Sequence, residues 1–108
     1  MNYLRIRNGE CATPRDVLER SFESGAGNVL VEAGAMPPQF FDLSSGAAGD
    51  LVQGLANYGV RMAVVIADLA QRSDSFQAFV KEANRGRAVR FFEFEAAAEA
   101  WLLDHGGT

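Results

Sequence analysis

The residues of this chain that could do chemistry are few, and most lie around its middle. Asp42 precedes Ser44-Ser45-Gly46, and Asp68 closes an apolar run further on. Two such carboxylates could act as acid and base if the fold brought them together. Ser45 stands just before a helix-period pattern. A hydroxyl there either caps the helix by accepting a first-turn N–H or offers a phosphorylation or anion point, because free N–H groups and the helix dipole favour negative charge. Asp42 either fixes the turn through its own backbone or marks a polar functional edge. Arg85, Arg87 and Arg90 form a small basic cluster, read as a solvated rim or as a phosphate contact. Cys11 is the one cysteine and His105 the one histidine. An intramolecular disulfide, a cysteine-based zinc site and a histidine cluster are therefore out of reach. There is no G-x-S-x-G, no P-loop and no G-x-G-x-x-G after a strand. The sequence points away from an enzyme and implies no metal and no cofactor.

Alternating strands and helices must position these residues. In residues 2–7, Tyr3, Arg5 and Arg7 fall on one side and Leu4 and Ile6 on the other, the pattern of a half-buried or edge strand. Asn8-Gly9 is a hairpin-type turn signal, with a weak return strand at 10–12. Thr13-Pro14-Arg15-Asp16 starts a helix, with Val17, Leu18 and Phe22 inward and Gly25 and Gly27 closing it near residue 24. Val29-Leu30-Val31 is a short strand. Phe40 and Phe41 cannot both stay comfortably wet, so at least one pins loop 36–45 to the core; the alternative is a partner anchor.

From Gly46 to Tyr58 the apolar residues Ala47, Ala48, Leu51, Val52, Leu55 and Ala56 form one helical stripe. Gly49 and Gly54 each cost that helix ~1 kcal/mol against Ala. They imply a close backbone approach, most simply to a sheet, and Gly49 in particular is expected to face the sheet or the preceding loop. Gly59 suits the left-handed position that ends a helix. Arg61 to Ala67 reads as a strand covered on both faces. Asp68 ends it, where open α/β sheets bind ligands, or else simply caps the next loop. Ser73-Asp74-Ser75 opens a third helix with Phe76, Phe79, Val80 and Ala83 inward. Residues 88–92 are the last strand. Residues 96–103 are the last helix, with either Ala97, Trp101 and Leu102 or Phe94, Ala98 and Trp101 inside. Val64, Val65, Leu51, Leu55, Phe79 and Val89 are expected in one core.

A chain of 108 residues is one domain, its core about 3–103 and its tail at 104–108 frayed. Hydrophobic content of 48% and charged content of 22% are those of an ordinary globular protein. A net charge of −4 and a pI near 4.9 argue against nucleic acid as partner. No apolar run approaches the ~20 residues of a membrane span, and no signal-peptide core is visible, so a cytoplasmic location is expected. The β-α-β-α-β-α-β-α alternation implies an α/β domain with a mainly parallel four-stranded sheet flanked by four helices. Strand order 2-1-3-4 is expected, with the strand at 61–67 central.

The run from Phe40 to Val65, FFDLSSGAAGDLVQGLANYGVRMAVV, together with Phe79-Val80-Lys81-Glu82-Ala83-Asn84-Arg85-Gly86, resembles the bacterial DUF4180 family. The matching positions include Phe40 to Leu43, Ser45, Gly46, Ala48, Gly49, Gln53, Asn57 and Tyr58. The sequence departs from that pattern at Gly54, where the family carries Lys. Leu43-Ser44-Ser45-Gly46 before a helix and strand is also similar to the D-S-S-G of anti-sigma-factor antagonists, the STAS class. That resemblance implies a STAS-like layout and a switch serine at Ser45. The expected function is thus a non-enzymatic regulatory or protein-interaction domain. It would act through loop 36–45 and the start of helix 46–58, with Phe40, Phe41, Asp42, Ser45, Gly46 and Gly49 foremost and Asp68, Asn57, Tyr58, Asn84 and Arg85 secondary. The partner is an unidentified protein, or a second copy in a homodimer. The alternative is a small-molecule or anion sensor with a cleft near Asp42, Ser45 and Asp68.

Overall fold

The computed structural model describes residues 3–7, 14–25, 27–36 and 40–105. Four strands, β1 (Leu4–Ile6), β2 (Asn28–Glu32), β3 (Arg61–Val65) and β4 (Val89–Phe92), alternate with four helices, α1 (Pro14–Ser24), α2 (Ala47–Asn57), α3 (Asp74–Ala83) and α4 (Glu95–His105). The expected return strand at 10–12, the Thr13 cap and Cys11 lie outside the described residues, as does the end of the tail. All the strand pairings are parallel, with Val31 beside Val64 and Val64 beside Phe91.

The strand order is 1-2-3-4, which corrects the 2-1-3-4 expected and removes the STAS-like layout. The reason is visible in β1. Arg5 faces out of the sheet to bind Glu95, and a strand with a charged face suits an edge. In β2, by contrast, Asn28 to Val31 are all buried, as an interior strand must be. Connections of one hand that each step one strand along lay their helices on one face. One core cluster accordingly joins Val17 of α1, Leu51 and Leu55 of α2, and Phe76 and Val80 of α3 to Ile6, Val29, Val31, Met62, Val64, Val89 and Phe91. The other face belongs to α4, where Leu30 and Ala63 pack with Ala98, Trp101 and Leu102. Strand residues alternate between these faces. Val65 therefore joins the α4 side, and the single core expected is two.

Several local expectations shift with this geometry. The third strand ends at Val65 and not Ala67. Phe22, expected inside, is 58% exposed, and Ser21 is buried in its place. The Ser21 hydroxyl donates to the Val17 carbonyl at 2.7 Å, which satisfies it within the helix. On α4 the inner residues are Ala98, Trp101 and Leu102, while Ala97 and Phe94 are exposed. Helix ends follow the chemistry read from the residues. Ser73 Oγ accepts from Phe76 N–H at 3.1 Å to cap α3. Gly59, with φ +68°, closes α2, and Val60 N–H reaches back to the Leu55 carbonyl at 2.9 Å.

Gly49 is exposed and a Cβ there would meet nothing within 4 Å, so the close approach expected at Gly49 is absent. It occurs at Gly54, where a Cβ would stand 2.8 Å from Leu18 Cδ2. The neighbour is a helix, α1, and not the sheet.

Candidate functional site

The segment before α2 is built from an aromatic base and a polar tip. Phe40 is fully buried. Its ring lies 5.8 Å from Phe76, 6.4 Å from Phe79 and 6.1 Å from Phe91, linking the loop to α3 and β4. Phe41 stands edge-on to Phe40 and 5.2 Å from Phe76. The Arg72 guanidinium covers its outer side, 4.0 Å from the ring centroid, a contact worth roughly 0.5–1 kcal/mol at a partly exposed site. Arg72 also pairs with Asp68, Nε to Oδ1, at 3.4 Å. Met36 is buried as well. The aromatic pair thus anchors the loop.

The polar tip is self-bonded. Asp42 Oδ1 accepts from Ser44 N–H at 3.1 Å and from Ser44 Oγ–H at 2.6 Å. The Asp42 carbonyl accepts from Ser45 N–H at 3.0 Å and from Ser45 Oγ–H at 2.7 Å. Ser45 Oγ in turn accepts from Ala47 N–H at 3.1 Å, satisfying one of the unpaired first-turn donors of α2. Gly46, at φ +77°, makes the left-handed step into the helix that a side chain would strain. Asp42, Ser44, Ser45, Gly46 and Gly49 are all exposed.

Not every residue singled out by sequence gathers here. Asp68 reaches the site through Arg72 and Phe41, but Asp42 and Asp68 are each engaged by different partners. Asn57 and Tyr58 lie at the far end of α2. There Asn57 Oδ1 accepts from Gln53 Nε2 at 2.9 Å, and the Tyr58 ring lies tilted against Phe22, centroids 4.6 Å apart, both residues 58% exposed. Asn84 serves the fold, because its Oδ1 accepts from Phe91 N–H at 2.7 Å. The N–H groups of β4 facing its free edge would otherwise invite another strand. Arg85 pairs loosely with Glu82 at 3.8 Å. Arg90 folds back to the Gly86 carbonyl at 2.9 Å and over Trp101. Arg72 is the site residue that sequence reasoning passed over; its signal was the acid four residues before it, at Asp68.

Among the described residues no three Asp, Glu, His or Cys side chains come together as a metal-ligand set, and no helix is long and apolar enough to cross a membrane. Among the described residues the strand order has no reversal, the switch point at which open α/β sheets bind ligands.

Fold and site together define a small α/β domain with a parallel sheet and a self-bonded polar turn at the start of its second helix. The family model for DUF4180, a domain of unknown function, matches residues 5–102, and the chain belongs to that family. No curated protein and no solved structure gives a significant match.

Proposed function

We propose that this protein is a non-enzymatic regulatory domain that binds a protein partner through loop 36–45 and the first turn of α2. The observation that supports this reading is the contrast within the loop. Phe40 is sunk in the core, while the side chains of Asp42, Ser44 and Ser45 stand exposed and fixed to one another. A pre-ordered polar tip loses little entropy on docking, which favours binding. The burial of Met36 and Phe40 makes the contact polar, with Phe41 and Arg72 at its border. A sensing cleft built from Asp42, Ser45 and Asp68 has less support: neither of the two described cavities is lined by any of them.

Capture of partners from native lysate with wild type, Ser45→Ala and Ser45→Asp tests the proposal. Ser45→Ala removes the acceptor for Ala47 N–H and lowers stability by about 1 kcal/mol, yet keeps the partner. Ser45→Asp keeps a capping acceptor and adds charge beside Asp42, so it melts like wild type and loses the partner. If all three retain the same proteins, the loop is not the binding surface.

A further inference from the structure

The three helices on one face do not cover it evenly. Gly54 lets α2 lean on Leu18 of α1, and α3 lies over β4 with Phe76 and Val80. Between the C-terminal halves of α2 and α3 a groove of about 560 Å³ remains, floored by Val60 and Val89 and walled by Val52, Ala56, Phe79 and Ala83. The space persists because the facing side chains are short. Phe79, in one wall, belongs to the packed phenyl cluster around Phe40. The volume falls within the roughly 300–1,000 Å³ of small-molecule sites.

The mouth carries charge. Arg61, Glu82 and Arg87 line it, and Arg85 stands beside Glu82. With the Arg61 guanidinium turned to the α4 face, Arg85 and Arg87 against Glu82 leave +1 at the mouth of a chain whose net charge is −4. Glu82 is engaged by Arg85, and the Arg61 guanidinium lies 5.8 Å over the Trp101 ring. Arg87 is exposed and has no hydrogen-bond or ion-pair partner among the described residues. The C-termini of α2 and α3 also end here, and their partial negative charge opposes an anion. Their last carbonyls are capped, however, by Val60 and Asn84 N–H among others, and each exposed terminus is worth only about 0.3–1 kcal/mol.

We infer that this groove is a binding site for a small amphipathic carboxylate, its hydrocarbon body against Val60, Phe79 and Val89 and its carboxylate at Arg87. The site lies at the opposite end of α2 from loop 36–45 and stands independently of the partner surface proposed there.

Titration of the full chain with octanoate, followed by amide NMR, tests the assignment, with octyltrimethylammonium as the cation of matched chain. Octanoate is expected to give saturable shifts at Ala56, Val60, Ala83 and Ala88. Ala83→Leu fills the groove from a helix position that favours Leu and weakens binding roughly tenfold or more. Arg87→Gln weakens it about threefold, the scale of one exposed ion pair, and removes the preference over the ammonium. Circular dichroism melting verifies that both variants fold. Shifts that do not saturate, an unchanged affinity in Ala83→Leu, or equal binding of octyltrimethylammonium by wild type would each overturn the assignment.

Discussion

The two faces of the sheet are held by different forces. On one, α1, α2 and α3 bury a continuous apolar layer that includes the Phe40–Phe76–Phe79–Phe91 cluster. On the other, α4 buries only Leu30, Ala63, Ala98, Trp101 and Leu102 at its centre and is tied down at its flank by polar contacts. There Arg5 binds both oxygens of Glu95 at 3.0 Å, and Tyr3 donates to Glu99. Apolar burial carries no titrating group, whereas exposed ion pairs are screened by salt and titrate. The three-helix face should therefore set global stability, and the α4 face should carry its dependence on conditions.

Phe40→Ala is expected to cost the three-helix face the most. Removing a fully buried phenyl that touches α3 and β4 should cost roughly 3–5 kcal/mol, measured by urea unfolding. A cost below that of removing Arg5 would mean that the aromatic layer is not what holds the domain. A smaller effect comes from the two glycines of α2, which the geometry separates. Gly54→Leu should destabilise by roughly 1–3 kcal/mol through overpacking against Leu18. Gly49→Ala, with open space around its Cβ, should stabilise by about 0.5–1 kcal/mol through helix propensity. Thermal melts of both variants check the signs, and equal signs would refute the placement of α2 against α1.

Much of this fold was legible because strands and helices differ in period, and the residue patterns carry that difference. The stripe Ala48, Leu51 and Leu55 and the caps at Ser73 and Gly59 are local, so the sequence displays them. Strand order is not local. A parallel strand looks the same wherever its neighbours lie, and the charged side of β1, with Arg5, read only as half-buried or edge, did not prevent the order 2-1-3-4 from being expected. Gly49 and Gly54 were indistinguishable for the same reason: which one meets a neighbour depends on where α1 lies across the sheet. At the candidate site it was readable from hydrophobicity that at least one of Phe40 and Phe41 anchors the loop, but not which. The covering of Phe41 by Arg72 was not, since it joins loops that follow different strands.

On the α4 side smaller changes are expected, and they depend on pH. The hydrogen bonds from Arg5 hold the Glu95 carboxyl below its usual range. A carboxylate whose folded value is depressed adds stability that is complete above its unfolded value and vanishes as pH falls through the folded one. The stability difference between wild type and Arg5→Met should therefore be present at pH 7 and decline as the pH falls below roughly 4.3, the unfolded glutamate value, and through the lower folded one. At the alkaline limit the sign reverses. The hydrogen bond to Glu99 raises the Tyr3 phenol above its ordinary value, so the contribution of that pair is present below about pH 10 and lost above it. Trp101 is the only tryptophan and packs on this face, so its fluorescence during urea unfolding reads the α4 side directly. A wild-type minus Arg5→Met difference that is equal at pH 7 and pH 3 would show that Arg5 acts by packing its stem and not by its charge.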